Sequence, residues 1–369
     1  MLSADEFSAW FRLLETPGVG RGTARRLLAA CGTPEAVFRT PPAGLRRLVG
    51  PAVAQALHEL PPDFASRLDA ASTWLATAGE HQVLTVGDPA YPPLLLQTAD
   101  PPLLLYVQGD PVRLLQRAVA IVGSRHATPQ GLANARAFGA ALSEQGFVVV
   151  SGLAQGIDAA AHEGALSGTA GTVAVVGTGL DRVYPASHRG LAHRIAAHGA
   201  LVSEFAPGTP PLPEHFPQRN RLIAGLSLGT LVVEAALQSG SLITARLASE
   251  AGREVFAIPG SIHAPQAKGC HALLKQGAKL VETAQDILEE LNLGLPRQAA
   301  LSLPTAIEEP GVPNDPLLEG LGHDPVTLDA LMARTGWPVA ELMARLMTLE
   351  LEGRVARLPG GLYQRRHSG

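Results

Sequence analysis

The stretch LVVEAALQSGSLITARLASEAGREVFAIPG, residues 231–260, decides the fold of this chain. Two short apolar runs, Leu231–Glu234 and Glu254–Ile258, flank the segment SLITARLASEAGR, in which apolar residues recur at helical spacing. Strands that are almost wholly apolar are typical of parallel sheets covered on both faces, and a helix between two of them is typical of a βαβ unit. The stretch therefore predicts neighbouring parallel strands joined by a helix.

The same alternation extends towards the N-terminus. Helical patterns separate further apolar runs of strand length, which lie at residues 119–123, 147–151, 173–177 and 201–204. Consecutive units of this kind predict an α/β fold in which helices cover both faces of a doubly wound, mainly parallel sheet. We assign residues 66–292 to an extended Rossmann-like domain.

A unit of different pattern precedes this domain. Residues 1–65 predict short helices, with the turn PGVG at 17–20 between a helix that ends at Leu14 and a second helix at Thr23–Cys31. This arrangement is typical of a helix-hairpin-helix, whose glycine amides contact DNA phosphates. It is equally typical of a small helical packing module, and both interpretations stay open.

Two segments follow the sheet domain. Residues 293–317 carry prolines without apolar periodicity and predict a linker. Residues 318–369 contain two helical patterns and a glycine-containing hairpin, an arrangement typical of a winged helix. The second pattern, VAELMARLMTLELEG at 339–353, carries three glutamates and one arginine, whereas a helix that reads DNA is basic. We therefore expect this unit to contact protein.

The composition indicates a globular protein without an overall basic character. The chain has 369 residues, a formal net charge of −4 and two cysteines, Cys31 and Cys270, far apart in sequence. Such cysteine usage favours a reducing, cytoplasmic compartment over a disulfide framework or a zinc site. No apolar run reaches the roughly 20 residues of a membrane helix, so no membrane partner is expected. A polyanion would need a local basic patch.

Such a patch is predicted at the carboxyl ends of the strands, where open parallel sheets bind ligands. The loops there read GSRHATPQG at 123–131, SGLAQGID at 151–158 and QSGSLIT at 238–244. Glycine lets backbone amides approach an anion, and a following helix adds its positive end. The run HFPQRNRLIAGLS adds Arg219 and Arg221, two neighbouring cations that call for a negative partner. The set predicts an anion site.

Common cofactor and catalytic motifs are absent from the sequence. The first loop lacks the GxGxxG of dinucleotide-binding proteins and no Walker A sequence occurs, so no cofactor is expected. Asp158 and His162, four residues apart, have the spacing of a metal-binding or proton-relay pair. A capping aspartate with a packed histidine explains them better, because a metal site needs a third ligand. We expect neither a metal nor an enzyme.

The motifs taken together resemble the DNA-processing protein family DprA, also called Smf. The resemblance rests on AIVGSRHATPQG, VVVSGLAQGIDAAAHEGAL, the YP at 184–185, SEFAPG, HFPQRNRLIAGLS, the stretch at 231–260 and KGCHALLKQGA, and it covers residues 85–285 in order. It implies a SAM/helix-hairpin-helix-like domain, an extended Rossmann-like domain and a winged helix.

The same resemblance implies a function. Members bind and protect single-stranded DNA without sequence preference during natural transformation. They load the RecA recombinase onto DNA covered by single-strand-binding protein, and they act as homodimers. The resemblance implies no catalytic activity and no cofactor.

On this resemblance the anion is a DNA phosphate. The expected contacts are Gly123, Ser124, Arg125, Gln155, Gly156, Arg219, Asn220, Arg221, Ser239, Gly240, Ser241 and Lys268. Phe205 and Phe216 are candidates for stacking on bases, although either also suits a core position. A dimer contact and the monomer's own core are both open for three leucines, Leu273, Leu274 and Leu280.

The leading alternative is an enzyme similar to the nucleoside-monophosphate phosphoribohydrolases, which share a related sheet and a PGGxGT–E pattern. The segment LGTLVVEAAL keeps Gly229, Thr230 and Glu234 but lacks the Pro-Gly-Gly. A third possibility is a regulator that binds DNA through the winged helix, which the acidity of its second helix disfavours. Binding of single-stranded DNA is the preferred prediction.

Overall fold

The computed structural model describes residues 2–77, 81–291, 315–322, 325–358 and 360–365. Most of the expected linker, residues 293–314, lies outside the described residues. The described chain comprises N-terminal helices, a nine-stranded sheet with its covering helices, and a C-terminal unit with a three-stranded sheet.

The N-terminal helices form where amphipathic segments meet capping and turn residues. The Ser3 hydroxyl oxygen accepts a hydrogen bond from the Glu6 amide, and the Glu6 carboxylate accepts one from the Ser3 amide, so a capping box begins the first helix. Gly18, with a φ of +80°, allows the predicted turn into the second helix. The helices are α1 (Ala4–Glu15), α2 (Arg21–Cys31), α3 (Pro34–Arg39), α4 (Pro42–Val49), α5 (Pro51–His58) and α6 (Phe64–Ala76).

The central sheet has nine strands. In chain order these are β1 (His81–Thr85), β2 (Leu104–Gly109), β3 (Ala118–Val122), β4 (Val148–Ser151), β5 (Thr172–Val175), β6 (Ala200–Ser203), β7 (Gly229–Val232), β8 (Glu254–Ala257) and β9 (Lys279–Leu280). Strands β3 to β8 begin and end within two residues of the predicted strands, because the apolar runs that predict them are the segments covered by helices.

The strand order is β1-β2-β6-β5-β4-β3-β7-β8-β9. Neighbouring strands are parallel except where β2 pairs with β1 and with β6. From β3 the chain continues to β4, β5 and β6 on one side, and it then crosses to β7, β8 and β9 on the other. The prediction of a doubly wound, mainly parallel sheet is confirmed. Its topological switch lies between β3 and β7, the position at which ligands bind in such sheets.

Helices cover both faces of the sheet. Side chains alternate along β3, so that Val119 and Ile121 enter the core beneath one layer of helices while Ala120 and Val122 enter the core on the opposite face. The covering helices are α7 (Pro93–Leu96), α8 (Pro129–Glu144), α9 (Ile157–Ala165), α10 (Arg189–His198), α11 (His215–Gly225), α12 (Gly240–Glu250), α13 (Lys268–Lys275) and α14 (Ala284–Leu291).

The N-terminal helices pack directly on this domain. Trp10 of α1 and Trp74 of α6 share a core with Tyr106 of β2 and Leu191 of α10. The Trp74 and Tyr106 rings meet edge to face, with centroids 6.0 Å apart. The boundary expected at residue 65 falls inside α6, and the far end of that helix contacts the sheet.

The C-terminal unit is a winged helix, as predicted. Its elements are α15 (Pro316–Leu321), β10 (Val326–Thr327), α16 (Leu328–Thr335), α17 (Val339–Leu351), β11 (Val355–Leu358) and β12 (Leu362–Arg365). The strands form an antiparallel sheet in the order β10-β12-β11. Leu331, Leu342, Leu346 and Tyr363 are buried in its core.

Candidate nucleic-acid interface

A cleft of about 650 Å³ opens beyond the carboxyl ends of the strands, at the switch between β3 and β7. The loops after these two strands, α11 and the start of α12 form its walls. The structure brings eight of the expected contacts into this cleft, namely Gly123, Ser124, Arg125, Arg219, Asn220, Ser239, Gly240 and Ser241.

The loop after β3 presents Arg125 at the cleft. The Ser124 amide donates to the Glu234 carbonyl oxygen at 2.7 Å, and the Ser124 hydroxyl oxygen accepts from the His126 amide at 3.1 Å, so the loop is fixed around Arg125. Gly123 leaves no room for a side chain, because a Cβ there would lie within 3 Å of neighbouring atoms. The exposed Arg125 guanidinium forms no ion pair or hydrogen bond with any described residue.

The Arg219 guanidinium lies buried in the wall of the same cleft. The residue is 5% exposed, its Nη1 donates to the Val175 carbonyl oxygen at 3.1 Å, and its Nε has no hydrogen-bond partner among the described residues. Burial lowers the pKa of Arg219 to about 10, although the Asp158 carboxylate acts in the opposite direction. Arg219 therefore stays protonated at neutral pH and retains donor capacity.

Asp158 organises the loop that supports Arg219. Its Oδ2 accepts hydrogen bonds from the amides of Gly152 at 3.1 Å and Ala154 at 3.4 Å. Burial raises the pKa of Asp158, while Arg219 and the two amides counteract this effect. The carboxylate thus fixes the loop after β4, and its charge offsets part of the effect of burial on the Arg219 pKa.

His162 is a packed core residue. Its Nε2 accepts from the Leu153 amide at 3.3 Å. The Thr172 hydroxyl donates to the Val149 carbonyl oxygen, so it accepts from His162 Nδ1 at 2.7 Å, and both ring nitrogens are occupied. Burial lowers the pKa of His162 to about 3. These contacts support the structural interpretation of the Asp158–His162 pair.

The start of α12 supplies hydroxyl and amide groups. Ser239 caps the helix, because its Oγ accepts from the Ser241 amide at 3.4 Å, and the two hydroxyl oxygens lie 2.7 Å apart. Asn220 donates from Nδ2 to the Gly240 carbonyl oxygen at 3.4 Å, which joins α11 to α12. Backbone amides at a helix start are suited to an anion.

Two aromatic rings line the cleft beside Arg125. The Phe216 and Tyr184 centroids are 5.4 Å apart with an interplanar angle of 42°, and the Arg125 guanidinium carbon lies 5.8 Å from the Phe216 centroid. Tyr184 is 50% exposed. Tyr184 is not among the contacts expected from the sequence, although its Tyr-Pro dipeptide belongs to the motifs that carry the family resemblance.

Arg221 requires a correction, because the structure turns it away from the cleft. Its guanidinium forms ion pairs with Glu204 and Asp100 and donates to the Asp100 carbonyl oxygen at 2.6 Å. Residues two apart on a helix point about 200° apart, so Arg219 and Arg221 face different sides of α11. The expectation that both arginines meet the same phosphate chain is wrong.

The N-terminal arginines belong to the same ion-pair cluster. Arg21 and Arg25 of α2 both pair with Asp100, and Arg21 Nη1 lies 3.5 Å from Glu204 Oε2. Two of the three arginines that follow the PGVG turn are thus joined to the sheet domain. This arrangement favours the packing-module interpretation of the N-terminal helices.

Three other expected contacts lie outside the cleft. Gln155 lines a smaller adjoining cavity of about 110 Å³. Gly156 supports the loop after β3 from beneath, since a Cβ there would lie 2.2 Å from the Ser124 carbonyl oxygen. Lys268 is exposed at the first residue of α13 and does not line the cleft.

The two phenylalanines separate. Phe216 lines the cleft, whereas Phe205 stacks on His215 with centroids 4.0 Å apart and lines a different cavity, beside Glu204. Phe205 is therefore not placed to stack on a strand in the cleft. The short loop after β6 directs it towards the N-terminal helices.

The three leucines also differ. Leu273 and Leu274 are half-buried and pack against the monomer's core, whereas Leu280 is 53% exposed on the edge strand β9. Packing within the monomer therefore accounts for part of the apolar surface of Leu273 and Leu274. Only Leu280 projects mainly into solvent.

Glu234, the residue that the phosphoribohydrolase alternative needs, does not line the cleft. Its two carboxylate oxygens accept from the Thr128 amide at 2.9 Å and the Thr128 hydroxyl at 2.6 Å, at the start of α8. Burial raises the pKa of Glu234, and the bonds from Thr128 counteract this. The carboxylate serves the helix start, so the enzyme alternative is not favoured.

No group of three or more His, Cys, Asp or Glu side chains within the described ranges is arranged to hold a metal ion. In the same part of the chain, every helix is too short or too polar to cross a membrane.

The doubly wound sheet, the arginine-bearing cleft at its switch point and the C-terminal winged helix define a modular α/β protein whose cleft is suited to an anion. The family model described as DNA recombination-mediator protein A matches residues 82–292, and the model of the DprA winged helix domain matches residues 302–361. The chain belongs to the DNA recombination-mediator protein A family, whose members are named DprA or Smf.

Individual proteins named Smf or DprA are similar to this chain in sequence and in structure. The chain is 42% identical to protein Smf of Escherichia coli K12 over 308 residues, which are 82% of each chain. It is similar to the X-ray structure of DprA from Streptococcus pneumoniae, with a TM-score of 0.67 and 35% identity over 79% of this chain and 98% of that one. DprA from Helicobacter pylori, described with its single-stranded DNA binding mode, matches with a TM-score of 0.52 and 32% identity over 57% and 95%.

Proposed function

We propose that this protein binds single-stranded DNA in the cleft at the switch between β3 and β7. One observation carries the proposal: Arg125, Arg219 and the donors at the start of α12 converge on one cleft, in a chain with a formal net charge of −4. A local concentration of cations and amides suits a sugar-phosphate chain. The relative from Helicobacter pylori, described with single-stranded DNA, gives independent support.

The cleft groups account for binding without sequence preference. Guanidiniums, amides and hydroxyls contact phosphates, which are the same at every nucleotide. Phe216 and Tyr184 offer ring faces, and every base has a face on which to stack. Stacking of this kind needs exposed bases, and this favours a single strand over a duplex.

The wider role follows from the family. We propose that the protein protects the bound strand and loads the RecA recombinase onto DNA covered by single-strand-binding protein during natural transformation. It acts by binding, without catalysis or cofactor. The family description as a recombination mediator supports this role. The two cysteines, both free, suit a cytoplasmic location.

A homodimer completes the proposal. Leu280 lies on β9, the last strand of the sheet, and exposed edge strands in native proteins are usually covered or protected. Leu273 and Leu274 of the preceding helix, α13, would widen the contact around it. The support is the position of these leucines at the sheet edge.

A salt titration tests the proposed function. The full-length protein is titrated with fluorescent oligothymidylate and with a duplex of equal length, over a range of salt concentrations. We expect tighter binding of the single strand, with log K falling by about 0.7 per phosphate contact for each unit of log salt. Equal or tighter binding of the duplex would contradict the proposal. Release of free base from a panel of nucleoside monophosphates would restore the enzyme alternative.

A further inference from the structure

Helix α10 has a basic exposed face. Its inner side is apolar and packs on the sheet, through Leu191, Ala192, Ile195 and Ala196. Its outer side is exposed and carries Arg189, His193, Arg194 and His198. The sequence of the helix contains no acidic residue. The helix therefore presents positive charge and no negative charge to solvent.

The arginines of this face are unpaired. Neither Arg189 nor Arg194 forms an ion pair or a side-chain hydrogen bond within the described part of the chain. By contrast, Arg136 of α8 pairs with a glutamate at 2.8 Å, and Arg246 of α12 pairs with one at 3.5 Å. The charge on α10 is thus free to meet an external anion.

A furrow of about 540 Å³ runs beside α10. Arg189 and His193 line the furrow from the side of α10. Trp74, His81 and Gln108 also line it. The Trp74 and His81 rings stack at a centroid distance of 4.0 Å with an angle of 7° between their planes, which gives the furrow a flat and rigid surface. The basic helix α10 therefore borders a furrow with a flat aromatic surface.

The furrow adjoins the DNA cleft through two loops. In the loop after β4, Gly152 lines the cavity beside Arg125, and the next residue, Leu153, lines the furrow. In the loop after β5, Val183 lines the furrow and Tyr184 lines the cleft. His188, just before α10, hydrogen-bonds through Nδ1 to the Leu153 carbonyl oxygen at 3.0 Å. The two depressions share their dividing walls.

We propose that a DNA strand held in the cleft leaves it past Tyr184 and continues in the furrow beside α10. Its phosphates then meet Arg189, which lines the furrow, and Arg194, which lies on the exposed face of the same helix. This inference rests on the proposed function and adds a second segment to the same binding site. The ten residues of α10 span about 15 Å, enough for a few further nucleotides. The extension has the same phosphate chemistry as the cleft and needs no sequence preference.

The test compares two lengths of strand. Full-length Arg189→Ala/Arg194→Ala protein is titrated with an oligothymidylate of about 6 nucleotides, which fills the cleft alone, and with one of about 20 nucleotides. Arg136→Ala/Arg246→Ala removes two other surface arginines and is the matched control. We expect the α10 variant to bind the short strand within about twofold of wild type. We expect it to bind the long strand about tenfold more weakly, with a salt slope reduced by about 1.4.

Each other outcome is decisive. Wild-type affinity for the long strand in the α10 variant would overturn the extension and leave the proposed function intact. Equal losses on both strands would place the arginines at the cleft and also overturn it. The same loss in the control variant would show a general charge effect. If the wild-type protein binds neither strand, the proposed function fails, and the extension fails with it.

Discussion

Gly152 lies so close to Arg219 that a Cβ at residue 152 would stand 1.4 Å from Arg219 Nη1 and 2.2 Å from its Cζ. The requirement for glycine is one of space, since residue 152 does not have a positive φ. The amide of this glycine also donates to Asp158, the carboxylate that counteracts the lowering of the Arg219 pKa by burial. The loop after β4 therefore determines where the Arg219 side chain lies.

Gly152→Ala should displace Arg219 and weaken binding of single-stranded DNA about tenfold or more, because a hydrogen bond to a charged group contributes about 1.5–3 kcal/mol. Fluorescence anisotropy with labelled oligothymidylate measures the loss. Gly22→Ala is the matched control, as a Cβ at that helical position meets no atom within 4 Å. A folded Gly152→Ala protein with wild-type affinity would show that Arg219 does not contribute.

Arg125→Ala should weaken binding about tenfold and reduce the salt slope by about 0.7, since one phosphate contact is lost. Because the guanidinium has no ion pair within the described chain, the free energy of unfolding should stay unchanged. Anisotropy over a salt series and urea denaturation measure the two effects. An unchanged slope would place the phosphate elsewhere.

Arg221→Ala should give the opposite pattern to Arg125→Ala, with lower stability and an unchanged salt slope. Removal of this guanidinium leaves the Glu204 carboxylate, which is 13% exposed, without its closest partner, and the free energy of unfolding should fall by about 2–3 kcal/mol. The salt slope should match that of the wild type because Arg221 does not line the cleft. A reduced slope at full stability would contradict this assignment.

The sheet and the position of the cleft could be predicted from sequence because both depend on local patterns. Apolar runs mark the strands, and strand ends of a parallel sheet share an edge, so the loops that begin at Gly123 and Gln238 had to meet. Arg219 and Arg221 lie two residues apart on α11, so their side chains point to different sides of that helix. A helix that contains both residues could be predicted from the sequence. The orientation of this helix about its own axis, which decides which arginine faces the cleft, could not.

The ion-pair cluster could not be predicted for a different reason. Asp100 lies 79 residues from Arg21 and 121 residues from Arg221 in sequence, and only the packing of the N-terminal helices on the sheet brings all three together. Pairs at such separation leave no periodic signal. Without knowledge of these carboxylates, Arg221 appeared to lack a partner.

Phe216→Ala should weaken binding of single strands by about 1–3 kcal/mol, because one stacking surface is lost. The salt slope should stay unchanged, since no charge is removed, and this separates stacking from phosphate contact. Phe205→Ala is the control, because Phe205 packs on His215 away from the cleft. Equal affinity losses in both variants would indicate a general effect on folding.

His162 should make the fold sensitive to acid. Its pKa is lowered to about 3 in the folded protein, below the ordinary value of 6.5, so the unfolded chain binds a proton first as the pH falls. The contribution to stability is complete above about pH 6.5 and is lost progressively towards pH 3. Urea denaturation from pH 7 to pH 4 should show a loss of a few kcal/mol.

The control for this effect is His162→Gln, which keeps a polar side chain but does not titrate. Its stability at pH 7 should be lower than that of the wild type, and its decline between pH 6.5 and pH 4 should be shallower. Asp158, whose pKa is raised by burial, acts in the opposite direction in both proteins, so the difference between them reports His162. Parallel curves would mean that His162 is not the titrating group.

Leu280→Glu should convert the proposed homodimer into a monomer, because a carboxylate on β9 would be buried without a partner in the contact. Light scattering during size-exclusion chromatography measures the mass, which should fall by half. Leu60→Glu is the control, as Leu60 is 64% exposed in the N-terminal unit, distant in sequence from the edge strand. Retention of the wild-type mass by Leu280→Glu would exclude this sheet edge as the interface.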